Sequence, residues 1–241
     1  MLHLLQAFLL IFAFSLFAGE PDFGKFDGSG VVLDLNTSKR TIFGPHANKR
    51  LNPCSTFKIL NSMIALDSGV VKDENEVIKW DGVKREYPAW NQDHTMRSAI
   101  AVSAVWFYQE LASRIGEQRM KEYMSRVKYG NADTSNTLTD FWLGGGSLKI
   151  SLKEQVDFLS RFMRNDLDFP QHVMGTVKDI ITLEKSDTYL LGGKTGSCGG
   201  AGWFVGFVQN HDKTTVFAFN IKGEGANGVE AKKIALEYLK R

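Results

Sequence analysis

The 241-residue chain is poor in several things, and each shortage removes a class of protein. It has only two cysteines, too few for a disulfide framework. It has no basic excess: Lys+Arg 29 against Asp+Glu 27 gives a net charge of +2, so a nucleic-acid partner is not expected. Its five histidines (His3, His46, His94, His172 and His211) are scattered, with no H-x-x-x-H spacing and no Cys/His cluster. That disfavours a zinc hydrolase, and no metal site is expected. There is no G-x-S-x-G, which disfavours an α/β-hydrolase. Solenoid repeats, low-complexity tracts and a G-X-Y period are all missing. Beyond the N-terminus no apolar run approaches the ~20 residues that span a bilayer as a helix.

What is present reads as one globule. Hydrophobic residues make up 43% and charged residues 23%, an ordinary balance for a folded domain. Leu4 to Phe17 is nearly all apolar, with Gln6 and Ser15 the only polar members, and the small residues Ala18 and Gly19 follow. A short apolar run of this kind reads as a secretory signal peptide over residues 1–18, although only His3 can carry charge ahead of it. The expectation is a secreted, bacterial periplasmic protein with residues 19–241 as one domain and no membrane contact after cleavage.

The pattern along that domain changes twice. Residues 28–35 and 41–43, joined by the polar NTSKR, predict a β-hairpin. From Cys54 to Leu66 the spacing turns helical, with Phe57, Leu60, Ile64 and Ala65 on one face. Helices are predicted over 97–115, 117–127 and 151–164, punctuated by Gly/Asn/Asp clusters at 130–133 and 144–147. Strands return at 202–209 and 215–221, and 229–240 predicts an amphipathic closing helix with Val229, Ile234 and Tyr238 toward one side. The fold class is therefore α+β: an antiparallel sheet built from both ends (about 19–53 and 189–241), flanked by terminal helices, with a helical part over about 54–188. A site is expected between the two parts.

The candidate chemistry starts at Ser55-Thr56-Phe57-Lys58, an S-x-x-K at a helix start. Positions i and i+3 share a face, so the hydroxyl and the amine come within reach of each other. A serine is a poor nucleophile until a base takes its proton. The motif alone is weak, since a chain this long carries about one by chance, and Ser125-Arg126-Val127-Lys128 fits it equally well. Two more elements choose between them. Ser103-Ala104-Val105 and then Lys194-Thr195-Gly196, the only K-[ST]-G in the chain, lie downstream of Ser55 in that order. This is the order of the penicillin-recognising serine enzymes. Gly196 would let a substrate approach the strand edge.

On these elements, together with PCSTFKI (53–59), IKWDGVKR (78–85), WFYQELASRIG (106–116), YGN (129–131), FWLGGGSLKIS (141–151) and GWFVGFV (202–208), the chain resembles the class D, oxacillinase-type serine β-lactamases over nearly all of residues 19–241. The resemblance implies the penicillin-recognising fold and hydrolysis of β-lactams, oxacillin-type penicillins included, giving antibiotic resistance, by a monomer or a homodimer. It implies Ser55 as acylated nucleophile, Lys58 as an N6-carboxylated general base, and Ser103 as proton shuttle to the lactam nitrogen. Val105, Trp142 and Leu143 would form the apolar surroundings of the modified lysine, with Trp142 bonded to the carbamate. Lys194 and Thr195 would sit beside the substrate carboxylate. The backbone N–H groups of Ser55 and Ser197 would form the oxyanion hole, and Tyr129 and Asn131 would shape the cleft edge structurally. No cofactor is implied beyond the carbon dioxide or bicarbonate that modifies Lys58. A lysine reacts with carbon dioxide only as the neutral amine, scarce at pH 7 for a pKa of about 10.4, and burial would raise that fraction.

Two features depart from the family or go beyond it. Many relatives carry a carboxylate-holding arginine before the last helix, whereas after Ile221 the only arginine here is Arg241. Either Lys194, Thr195 and Ser197 act alone, or Lys222 or another cation substitutes. Cys54 and Cys198 are expected to face each other in the shared fold and to form a disulfide, with two buried thiols as the alternative. Competing readings are the sensor domain of a β-lactam receptor, a penicillin-binding transpeptidase or carboxypeptidase, and an inactive binding module on the same scaffold.

Overall fold

The computed structural model describes residues 19–240. The expected signal peptide therefore lies outside the described residues. A six-stranded antiparallel sheet has the order β2-β1-β6-β5-β4-β3. Its strands are β1 (Asp27–Asp34), β2 (Arg40–Phe43), β3 (Thr182–Lys185), β4 (Tyr189–Cys198), β5 (Ala201–Asn210) and β6 (Lys213–Lys222). The helices are α1 (Lys58–Asp67), α2 (Met96–Val102), α3 (Val105–Ile115), α4 (Glu117–Val127), α5 (Leu152–Met163), α6 (Gln171–Ile180) and α7 (Gly228–Leu239).

Side chains alternate across a strand, and β6 divides its residues accordingly. Phe217, Phe219 and Ile221 join Phe204, Ala231, Ile234, Ala235 and Tyr238 in the core under α7. Val216 and Ala218 join Trp203, Val205 and Phe207 in the larger core on the helical side. The sheet thus holds two cores apart, with α7 over one face and α5 and the rest of the helical part over the other.

The structure corrects several expectations. Lys58 to Ala65 are all buried, so α1 is a central helix enclosed on every side rather than one with a single apolar face. A 3-10 turn, Cys54–Phe57, precedes it. The helix predicted over 97–115 is two helices. Ser103 breaks it in the left-handed conformation (φ +58°), and Ala104 N donates to Ala99 O (2.9 Å) in the manner of a Schellman cap. Helix α6 and strand β3 were not anticipated, so the C-terminal sheet segment begins at Thr182 rather than 189. K-T-G lies inside β4. Val229 is 72% exposed: the buried face of α7 runs through Ala231, Ile234, Ala235 and Tyr238, and Val229 falls off that spacing.

Candidate active site

The nucleophile candidate sits on the 3-10 turn that opens α1. Thr56 Oγ1 donates to Pro53 O (2.7 Å) and accepts from Gln155 Nε2 (2.9 Å), while Tyr129 OH donates to Gln155 Oε1 (3.2 Å). These bonds brace the turn from behind. Tyr129 is buried against Phe57 and Phe158 rather than placed at a cleft edge. Asn131 closes a loop by donating to Ser147 O (3.0 Å) and accepting from Lys149 N (2.8 Å).

On the other side of the turn, Lys58 Nζ donates to Ser55 Oγ at 2.7 Å. Lys58 is completely buried and forms no ion pair among the described residues. Burial first, and then the charge of Lys194, hold its amine well below the usual lysine range. Its Nζ also lies 5.3 Å from the centroid of the Tyr108 ring. Trp142 is also fully buried, stacks obliquely on Phe57 at 5.4 Å, and its indole Nε1 has no hydrogen-bond partner among the described residues. The peptide carbonyl of Trp142 accepts from Cys54 N (3.0 Å), tying the F-W-L loop to the nucleophile turn. Val105, at the start of α3, and Leu143 are both partly buried, and Leu143 packs against the larger core.

A second serine–lysine pair is assembled across the fold. Lys194 Nζ on β4 donates to Ser103 Oγ (3.1 Å), Thr195 O (3.0 Å) and Thr195 Oγ1 (3.4 Å). Lys194 is buried, and desolvation followed by the charge of Lys232 brings its pKa down to about 8. The left-handed backbone at Ser103 is held from outside: Trp90 Nε1 donates to Val102 O (2.9 Å), and Trp106 Nε1 donates to Trp90 O (2.7 Å). A non-glycine residue in that conformation costs on the order of 1–3 kcal/mol and persists where its surroundings impose it.

Strand β4 and the nucleophile turn meet at Gly196. A Cβ there would lie 2.9 Å from Pro53 O and 3.3 Å from Ser55 N, so a side chain would push the turn away. Two residues on, Cys198 is joined to Cys54 by a disulfide, 144 residues apart in sequence. Thr195 is partly buried, and Ser197 Oγ accepts from Gly228 N (2.8 Å), which anchors the first turn of α7. That bond assigns the Ser197 hydroxyl a structural job that the sequence did not signal. Ser125 and Lys128, the competing S-x-x-K, lie at the end of α4, where Lys128 takes the left-handed capping position. Among the described residues no group of three His, Cys, Asp or Glu side chains is placed to hold a metal.

The arrangement of two serine–lysine pairs, one at the start of α1 and one joining the end of α2 to β4, has counterparts. Residues 28–240 match the penicillin binding protein transpeptidase domain family. The chain is 41% identical to a probable β-lactamase, YbxI, of Bacillus subtilis, over 92% of this chain and 83% of that one. The chain belongs to the class D serine β-lactamase family. A solved class D β-lactamase from Bacillus subtilis superimposes with a TM-score of 0.86 at 42% identity, covering 90% of this chain and 91% of that one. The C-terminal domain of the BlaR penicillin-receptor of Bacillus licheniformis does so with a TM-score of 0.84 at 39% identity, covering 89% and 90%. As a class D β-lactamase the chain is a serine hydrolase of β-lactams.

Proposed function

We propose that this β-lactamase works through an acyl-enzyme on Ser55, with Lys58 as general base in both halves of the cycle. The observation that carries the reading is the 2.7 Å contact between Lys58 Nζ and Ser55 Oγ, with the amine completely buried and free of any acidic partner among the described residues. In acylation the Ser55 proton leaves toward Lys58 as Oγ bonds to the lactam carbonyl carbon. The backbone N–H groups of Ser55 and Ser197 are the candidates to stabilise the oxyanion. Ser103 passes its proton to the lactam nitrogen as the C–N bond breaks and takes up in exchange the proton held by Lys58, which frees the base again; Lys194, bonded to Ser103 Oγ, polarises it. In deacylation a water gives its proton to Lys58 as its oxygen bonds to the acyl carbon, and Lys58 returns that proton to Ser55 Oγ as the ester bond breaks and the opened product leaves.

The surroundings of Lys58 fit the N6-carboxyl group that class D membership implies. A buried amine held below its usual pKa is available in neutral form, and the unpartnered indole Nε1 of Trp142 is a donor in need of an acceptor. Carbon dioxide added to Lys58 supplies an anionic base where an amine alone would stand. Intact-mass measurement after incubation with a penicillin is expected to place one adduct on Ser55. Turnover is expected to fall in carbon-dioxide-depleted buffer and to return with bicarbonate. Turnover that depletion leaves unchanged rules the modified lysine out.

The likeness to the BlaR receptor domain supports a second reading, a sensor that is acylated but hardly deacylates. Many turnovers of a chromogenic cephalosporin or penicillin per molecule favour the hydrolase. A single burst favours the sensor. The apolar N-terminal run and the Cys54–Cys198 bridge support a periplasmic location, where hydrolysis of penicillins would give the cell resistance. Cell fractionation with N-terminal sequencing of the mature protein tests it.

A further inference from the structure

We infer that His94 is a positioning residue for the proton shuttle: through two hydrogen bonds it ties both ends of α2 together and so aims the Ser103 hydroxyl. The inference rests on the proposed role of Ser103 in acylation. His94 is buried, although it lies outside every stretch that marks the family. Its backbone pairs with Ile78 in both directions, His94 N donating to Ile78 O (3.1 Å) and Ile78 N to His94 O (2.8 Å), which fixes the root of the side chain. The ring then reaches two ways. Nε2 lies 3.0 Å from Ala89 O, and Nδ1 lies 2.9 Å from Ser98 Oγ. A carbonyl only accepts, so Nε2 carries a hydrogen and donates to Ala89 O, and in the neutral ring Nδ1 accepts from Ser98 Oγ.

These two contacts close a ring of hydrogen bonds around α2. Ser98 belongs to the capping box at the start of that helix, where Thr95 N donates to Ser98 Oγ (3.0 Å) and Ser98 N donates to Thr95 Oγ1 (3.2 Å). Ala89 lies in the 3-10 turn Pro88–Trp90, and the Trp90 indole donates to Val102 O (2.9 Å) at the other end of the helix. Helix α2 has 7 residues, a rod of about 10 Å, so holding both ends places the residue that follows. That residue is Ser103, set at φ +58° with its Oγ accepting from Lys194 Nζ (3.1 Å). Helix α3 is referred to the same point: the Trp106 ring stands 5.9 Å from the His94 ring, and its Nε1 donates to Trp90 O (2.7 Å). Without the two His94 bonds the Trp90 turn is no longer tied to the first turn of α2, and the Ser103 hydroxyl loses its fixed aim at the lactam nitrogen. A misplacement of about 1 Å at a reacting group costs on the order of 10²-fold in rate.

The test separates the two chemical steps and adds a double-mutant cycle. Single-turnover ring opening of a chromogenic cephalosporin reads acylation, and decay of the quenched Ser55 adduct by intact mass reads deacylation. His94→Leu keeps the bulk and loses both bonds. It is expected to slow acylation about tenfold and to change deacylation by less than about twofold. His94→Gln, which can still donate to Ala89 O, is expected to recover most of that loss. In a Ser103→Ala background, His94→Leu is expected to change acylation by less than about twofold, because no hydroxyl is left to aim. If His94→Leu does not fold, Ser98→Ala replaces it in the same cycle, with a loss of about threefold in acylation expected. Unchanged acylation, both steps slowed alike, or an equal loss in the two backgrounds overturns the inference and leaves the Ser103 assignment standing. Acylation that Ser103→Ala alone leaves unchanged overturns that assignment and the inference together.

Discussion

The two serine–lysine pairs differ in how they are made. Ser55 and Lys58 are three residues apart and meet because one helical turn brings them together. Ser103 and Lys194 are 91 residues apart and meet only because α2 stops at a left-handed serine and β4 passes beside it. Both amines are desolvated, but to different ends. Among the described residues Lys58 has one hydrogen-bond partner and an oily surrounding, suited to giving up its proton, whereas Lys194 donates to three oxygens and keeps a pKa of about 8, suited to staying charged at neutral pH. One scaffold thereby holds a base and a cation made from the same residue type.

Removing the first lysine should break this contrast most sharply. Lys58→Ala is expected to lower turnover on the order of 10²–10⁴-fold, the usual range for a positioned general base. A persistent Ser55 adduct in a mass time course would identify the lost step as deacylation. Unlinking the pairs comes next. The Cys54–Cys198 bridge ties the residue before Ser55 to the strand that carries Lys194. Converting both cysteines to serine should reduce unfolding free energy by about 2–5 kcal/mol in denaturant titrations.

Ser103 separates chemistry from backbone. Ser103→Ala and Ser103→Gly should both lose the hydroxyl and slow acylation. The glycine variant should nevertheless be the more stable by about 1 kcal/mol in thermal unfolding, because glycine accepts φ +58° without strain. Equal stabilities would mean that this backbone is not strained.

The pH profile sharpens the difference between the lysines. Lys194 loses its charge above about pH 8, so KM for carboxylate-bearing penicillins should rise through that pH. For stability, the folded amine binds its proton less tightly than the unfolded one. The resulting deficit is full below pH 8 and is recovered as pH rises toward 10.5. A Lys194→Met variant should accordingly gain stability over wild type at pH 7, and the gain should shrink by pH 10. The smallest effect is expected at Val229, where substitution by lysine should change stability by less than about 0.5 kcal/mol, while Ile234→Ala in the buried face should cost about 2–5 kcal/mol.

Much of the site was legible because its chemistry is written in short stretches. S-x-x-K, S-x-V and K-T-G each span only three or four consecutive residues, and their order along the chain singled out Ser55 over Ser125. The break at Ser103 was not legible, since Met96 to Ile115 has no glycine or proline to announce it. What stops α2 there is a tertiary contact, the Trp90 indole on the Val102 carbonyl. Strand β3 was missed for a related reason: T-L-E-K is short and mostly exposed, and only pairing with β4 makes it a strand.

By itself the sequence determined the α+β division, the local Ser55–Lys58 pair and the family, because periodicity and motif spacing act over a few residues. The tertiary structure alone decided that Lys194 meets Ser103 and that Tyr129 supports the turn from behind. Those outcomes depend on strand register and on how the helical part settles on the sheet. Both are set by packing between segments far apart in the chain, where no local pattern carries the distance.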